Sequence, residues 1–113
     1  MPLPTVVIAQ SDNGIAQRLA NDLYLHFSRI IVTESALELR ALLLRHEARV
    51  AVLDLELVNM EEIHKLARTF CNLAIVCTHR SPDERMWTAA LSAGAVELCH
   101  PLDIHAILCA LRG

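Results

Sequence analysis

A single carboxylate, Asp54, lies near the end of a short apolar run, and it is the residue best placed to do chemistry. The run spans residues 50–55 and is apolar except for Asp54 near its end. Short apolar runs bounded by charged residues are typical of strands buried on both faces of a parallel sheet. Open α/β sheets bind ligands at the carboxyl ends of such strands. The position of Asp54 therefore predicts a functional site at that edge.

The segments that must position Asp54 alternate regularly between short apolar runs and amphipathic stretches. The predicted strands are residues 5–9, 28–32, 50–55, 73–77 and 96–99, and the predicted helices are 13–26, 35–46, 61–70, 81–93 and 104–111. Strict alternation favours a parallel α/β sheet with helices on both faces. A five-stranded, doubly wound, flavodoxin-like sheet of order 2-1-3-4-5 is expected, with residues 10–12 beside Asp54 at its switch point.

Capping signals set the expected helix boundaries. Ser35 opens the second helix in a capping-box pattern with Glu38, and Ser81 caps the fourth, with proline and glutamate following in the first turn. The other expected caps and stops are Gly94, Asp103 and Gly113.

Length and composition indicate one domain over residues 1–113, with 54% hydrophobic residues and a net charge of −3. The N-terminus lacks a signal-peptide pattern and no apolar stretch is long enough to span a membrane, so a cytoplasmic protein is expected. Acidic and basic residues are interspersed, which predicts no direct contact with nucleic acid or membrane.

The four cysteines are expected to be buried, reduced thiols that pack as small hydrophobic residues. Cys77 and Cys99 lie in predicted strands, and no pair has the C-x-x-C spacing of a redox or zinc site. The other two are Cys71 and Cys109.

The order of these elements, together with a few residues, resembles a response-regulator receiver domain of two-component signalling. The residues are Asp54, Thr78 after the fourth strand, and the run from Ala93-Gly94-Ala95 to His100-Pro101. The resemblance covers nearly the whole chain. It implies that Asp54 accepts a phosphoryl group from a histidine kinase or phosphotransfer protein, and that Thr78 and the residue before Pro101 contact that group. It also implies a magnesium ion held by Asp54 and by carboxylates after the first strand.

Several positions depart from the family pattern. Gln10 and Ser11 stand where the family has an acidic pair, which leaves Asp12 and Asp54 to bind Mg²⁺ weakly or not at all. His100 stands where the family has lysine, and histidine is only partly protonated near neutral pH. No aromatic residue occupies the fifth strand, where the family has its switch residue.

Two functions follow as alternatives. One is an atypical receiver domain that is phosphorylated on Asp54 and relays the signal to an effector domain or partner protein. The other is a phosphorylation-independent pseudo-receiver that acts as a dimerisation or interaction platform. Homodimerisation through the last helices is left open in both, and Trp87 either packs on the sheet or anchors a partner.

Two further interpretations of the sequence have less support from its residues. An enzyme with a flavin or nucleotide site is disfavoured, because no glycine-rich loop follows the first strand. A transition-metal site formed by Asp54, His79 and His100 is a minor alternative at the same sheet edge.

Overall fold

Strands and helices alternate along the chain in a computed structural model that describes residues 4–112. The strands are β1 Thr5–Ala9, β2 Arg29–Thr33, β3 Val50–Asp54, β4 Ala74–Thr78 and β5 Glu97–Cys99. The helices are α1 Asn13–Leu23, α2 Ala36–Arg45, α3 Met60–Thr69, α4 Glu84–Ala93 and α5 Ile104–Arg112, with a short 3₁₀ turn at Tyr24–His26. The stop expected at Gly113 lies outside the described residues, as do residues 1–3 at the N-terminus.

The five strands form one parallel sheet in the order β2-β1-β3-β4-β5, which confirms the predicted topology. In the register, Ala9 lies opposite Leu53, and Asp54 lies opposite Thr78. The carboxyl ends of β1, β3 and β4 therefore meet at one edge of the sheet. That edge is the place where sequence positions far apart in the chain become neighbours.

The central strand β3 separates two hydrophobic layers. All five of its residues are buried, and alternate side chains point to opposite faces of the sheet. Ala51 and Leu53 pack with residues of α2, α3 and α4, whereas Val50 and Val52 pack with residues of α1 and α5. Within residues 4–112 no helix is long and apolar enough to cross a membrane.

The predicted capping box of α2 is wrong. Ser35 occupies the cap position, but its side chain makes no cap hydrogen bond. The backbone N–H of Ser35 donates to Thr33 Oγ1 at 3.0 Å, and that hydroxyl donates to Glu38 Oε2 at 3.4 Å. Thr33 thus takes the glutamate partner that the local pattern assigned to Ser35.

The predicted start of α4 is also wrong. Asp83, and not Ser81, caps this helix, since Asp83 Oδ1 accepts a 2.8 Å hydrogen bond from the Met86 N–H. A carboxylate at this position also interacts favourably with the positive end of the helix dipole. The predicted end at Gly94 is confirmed, because this glycine has a φ of 116° in the left-handed region.

Other boundaries differ by a few residues. The first helix was expected to continue through His26, but it ends at Leu23 and the chain turns to bury Phe27, which is extended and only 7% exposed. The third helix begins at Met60 because Asn59 caps it. The cap expected at Asp103 is confirmed by a 3.1 Å hydrogen bond from the Ala106 N–H.

The four cysteines divide into two classes. Cys77 and Cys99 are buried free thiols, as predicted, and burial is the main cause that raises the pKa of each to about 12. The expected burial is wrong for Cys71 and Cys109, which are exposed. Cys71 follows the end of α3, and Cys109 lies on the outer face of α5.

Candidate functional site

The carboxylate of Asp54 lies at the carboxyl end of β3, and the residue is 6% exposed. Its Oδ2 accepts hydrogen bonds from the Ser11 backbone N–H at 3.0 Å and from the Ser11 hydroxyl at 2.6 Å. Its Oδ1 accepts a 2.9 Å hydrogen bond from the Glu56 N–H. Hydrogen bonds to an ionised acceptor are stronger than neutral ones, so these donors hold both oxygens in a fixed orientation.

Gln10 and Thr78 form a buried hydrogen-bonded pair next to Asp54. Thr78 is fully buried and Gln10 is 2% exposed, and Gln10 Nε2 donates to Thr78 Oγ1 at 2.9 Å. Buried polar groups require partners, and each of these two side chains supplies one for the other. Thr78 lies beside Asp54 in the sheet register, and its hydroxyl oxygen accepts a hydrogen bond from the Gln10 amide.

The other two predicted site residues are engaged in local turns. Asp12 is exposed, and its Oδ1 accepts a 3.1 Å hydrogen bond from the Ile15 N–H at the start of α1. His100 is partly buried, and its Nδ1 accepts from the Leu102 N–H at 3.1 Å in the turn before α5. Across residues 4–112, no hydrogen bond or ion pair joins either side chain to Asp54.

A cation that the sequence analysis missed lies at the same edge. Arg80, in the loop after β4, makes a forked ion pair with Glu56, in which Nη2 is 2.8 Å from Oε2 and 3.1 Å from Oε1. The hydrogen bonds and charge of Glu56 raise the pKa of Arg80, and the charges of Asp12 and Asp54 raise it further. Its position two residues after Thr78 was the available signal, since loops after parallel strands line this edge.

The donor set fits a magnesium ion poorly. Mg²⁺ takes about six oxygen ligands in near-octahedral geometry, commonly one or two carboxylates with waters. Both oxygens of Asp54 already accept hydrogen bonds from the protein, and Asp12 caps a helix. The nearby guanidinium of Arg80 adds positive charge where a divalent cation would need negative charge.

The alternative transition-metal site is wrong. In the part of the chain that the structure describes, no three His, Cys, Asp or Glu side chains are grouped where they could hold one ion. His79 faces Glu56, with 3.9 Å between Nε2 and Oε1, and its Nδ1 accepts from the Ser81 N–H. His100 is held in its own turn, so Asp54, His79 and His100 do not converge.

Trp87 lies across the surface formed by α4 and β5. It is 45% exposed, and its indole N–H donates to Glu97 Oε1 at 2.8 Å. The same carboxylate oxygen accepts from the Leu98 N–H. An aromatic ring thus stands beside the fifth strand, although the strand itself contains none.

Comparison with solved structures decides the fold. The chain superposes on a response regulator from Thermotoga maritima with a TM-score of 0.85, covering 98% of this chain and 99% of that one at 18% identity. This is the receiver fold. The predicted resemblance is therefore confirmed at the level of the fold.

Two further response-regulator structures superpose on the chain with similar scores. An orphan response regulator of H. pylori gives a TM-score of 0.83 at 14% identity, covering 96% of this chain and 97% of that one. A Burkholderia pseudomallei response regulator, solved with a phosphorylated aspartic acid, a calcium ion and citrate, gives 0.83 at 20% identity over 96% and 66%. No protein-family model and no curated protein matches the sequence.

Proposed function

We propose that this receiver-fold chain is a signalling module that works through protein–protein contact without phosphorylation, in which Asp54 is a structural anchor. The observation that carries the proposal is the enclosure of the Asp54 carboxylate by Ser11 and the Glu56 N–H. A residue that attacks a phosphorus atom needs an accessible oxygen lone pair. Asp54 is only 6% exposed, and three of the about four lone-pair positions of its carboxylate accept hydrogen bonds from the chain itself.

The surrounding residues support the same conclusion. Phosphoryl transfer requires that developing negative charge on the phosphoryl oxygens be neutralised, which metal ions and cationic side chains normally do. Ser11 brings no charge to the position where a metal ligand would stand, and Thr78 is fully buried. His100 is bonded within its own turn. The side chains at this edge of the sheet are thus held by hydrogen bonds within the chain.

A second candidate is an atypical receiver domain whose Asp54 accepts a phosphoryl group from a histidine kinase or phosphotransfer protein. The observation that favours it is the cation at this edge, since Arg80 is close enough to Asp54 for the carboxylate to raise its pKa. Asp54 would attack phosphorus and the donor's P–N or P–O bond would break. Arg80, released from Glu56, would neutralise the phosphoryl oxygens, with Thr78 and His100 as further contacts. Asp12 and Asp54 would hold any Mg²⁺ weakly.

In either case the module acts on an effector domain or partner protein, and a cytoplasmic site of action with homodimerisation is compatible with both. The exposed part of Trp87 gives the surface of α4 and β5 an aromatic anchor for such a contact. The receiver fold supports a switching or binding role over an enzymatic one.

One experiment separates the two candidates. The purified chain is incubated with acetyl phosphate and Mg²⁺, and its intact mass is measured over time. The anchor proposal expects an unchanged mass, whereas a stable gain of one phosphoryl group that Asp54→Asn abolishes would overturn it.

A restored variant provides the positive control. The double change Ser11→Asp and His100→Lys brings back an acidic ligand and the cation of the family pattern. If Asp54 is not phosphorylated because the acidic ligand and the lysine are missing, this variant should gain the mass of one phosphoryl group. Adding Asp54→Asn to it should remove that gain. A wild-type chain labelled as fast as the restored variant would favour the second candidate.

A further inference from the structure

A histidine and a cysteine converge on the exposed face of α5, far in sequence from the edge that contains Asp54. His105 and Cys109 are four residues apart, so they lie one above the other on the same face of the helix. Both residues are exposed, and His105 Nε2 lies 3.5 Å from Cys109 Sγ. Neither residue has a role in the functions proposed above.

The distance between the two donor atoms matches that required by one zinc ion. With a Zn–S bond of about 2.3 Å, a Zn–N bond of about 2.0 Å and a tetrahedral angle, sulphur and nitrogen are about 3.5 Å apart. The observed separation has the same value. Imidazole nitrogen and thiolate sulphur are also the usual protein ligands of zinc. Ligation therefore requires little change in the distance between the two donor atoms.

Most of α5 presents no charge that would oppose an ion or a second helix. Residues 104–111 contain no Asp, Glu, Lys or Arg, and the one charged residue of the helix is Arg112 at its end. The carboxylate nearest in sequence, Asp103, is engaged as the cap of α5 through its bond to the Ala106 N–H. Leu102 is exposed and Leu108 is half-buried, so apolar surface flanks the His105–Cys109 pair. An outer helix face that is uncharged over two turns is typically covered by another element.

Two ligands fill only half of a tetrahedral site. Within residues 4–112 no third His, Cys, Asp or Glu joins the pair to form a complete cluster. A second copy related by a two-fold axis would bring the same two side chains to the opposite side of the ion. The result is a Cys₂His₂ site, which is a common closed arrangement of structural zinc.

We propose that His105 and Cys109 from two copies of this chain bind one Zn²⁺ ion and so join the copies through α5. On binding, the Cys109 thiol gives its proton to solvent as the S–Zn bond forms, and neutral His105 supplies the Nε2 lone pair. No electron is transferred and no redox partner is needed. The metal is a structural bridge, and the inference holds whichever function Asp54 serves.

The test measures mass and metal content together. The 113-residue chain is stripped of metal, kept in a non-thiol reductant, and titrated with zinc sulphate in an analytical ultracentrifuge. The expected result is a change from 12.6 kDa to about twice that mass, with one zinc bound per two chains. Replacing zinc by Co²⁺ should give the absorption of tetrahedral cobalt together with a sulphur-to-cobalt charge-transfer band.

Matched variants distinguish this pair from other histidines and cysteines. Cys109→Ser and His105→Ala should each abolish the zinc-dependent dimer, whereas His105→Cys should retain it by supplying a sulphur in place of nitrogen. The control variants are Cys71→Ser and His64→Ala, which change one exposed cysteine and one exposed histidine outside α5.

Four outcomes would overturn the proposal. The first is zinc binding by the monomer at one ion per chain, because no second copy would then be required. The second is a zinc-dependent dimer that persists in both Cys109→Ser and His105→Ala. The third is a mass that does not change with zinc. The fourth is a dimer that reductant dissolves and a chelator does not, which would indicate a disulfide.

Discussion

Replacing Asp54 by alanine should destabilise the folded chain. The carboxylate accepts three hydrogen bonds, two from Ser11 and one from the Glu56 N–H. A hydrogen bond to a charged group contributes about 1.5–3 kcal/mol net, and a neutral one about 1 kcal/mol. Ser11 and Glu56 are exposed residues, so water reaches part of the freed donors and each bond contributes about 1 kcal/mol, as a neutral one does. Asp54→Ala should therefore lower the free energy of unfolding by about 3 kcal/mol.

Asparagine at this position should give an intermediate result. Its single amide oxygen can keep the bonds to Ser11 or the bond to Glu56, but the amide N–H₂ must then face an N–H donor on the other side. The loss should be about 1–2 kcal/mol. Ser11→Ala removes only the hydroxyl and should lower the free energy of unfolding by about 1 kcal/mol, with a similar coupling energy in the double-mutant cycle with Asp54→Ala.

Urea unfolding followed by far-UV circular dichroism measures these differences, with Asp22→Ala on the exposed surface of α1 as the matched control. The control should unfold at the wild-type midpoint. If Asp54→Ala is as stable as the wild type or more stable, the carboxylate is not an anchor and the argument from its hydrogen bonds is refuted. A stabilised variant would instead indicate a carboxylate retained for function at a cost in stability.

Three other predictions follow from the packing and the charges. Gly94→Ala should destabilise the chain by about 2–4 kcal/mol. The glycine has φ +116°, and a Cβ there would lie 2.6 Å from the Cβ of Ala67. An unchanged midpoint in the same urea assay would contradict this. The pKa values of Cys77 and Cys99, raised by burial to about 12 from 9.0, mean that the folded state holds these protons more tightly than the unfolded state. The stability that the two protonated thiols contribute is present below pH 9 and should fall as pH rises from about 9 to about 12. Near neutral pH a thiol reagent should label only the exposed Cys71 and Cys109 unless urea is added. Arg80→Ala should leave the unfolding midpoint unchanged, because the ion pair with Glu56 is exposed at the arginine end. A clear loss of stability would instead show that this ion pair stabilises the sheet edge.

The hydrophobic pattern was sufficient to predict the architecture. Apolar runs of strand length alternating with amphipathic segments indicate a parallel sheet. Right-handed crossovers leave few strand orders, and the expected one among them, β2-β1-β3-β4-β5, is the one observed. The position of Asp54 at the carboxyl edge followed in the same way, because it depends only on where β3 ends. Helix ends were predicted less well. Thr33 and Asp83 took the partners assigned to Ser35 and Ser81, since several nearby side chains compete for each cap.

The tertiary structure alone decided which partners the residues at that edge bind. The bond between Ser11 and Asp54 joins positions 43 residues apart, and the bond between Gln10 and Thr78 joins positions 68 apart. Such partners are set by strand register and by the path of each loop, which no local pattern encodes. The sequence by itself determined that a carboxylate stands at the switch point of a five-stranded sheet. Only the folded chain decided that its neighbours bind it as hydrogen-bond donors, because hydrogen bonding depends on distances of a few tenths of an ångström that a residue pattern does not contain.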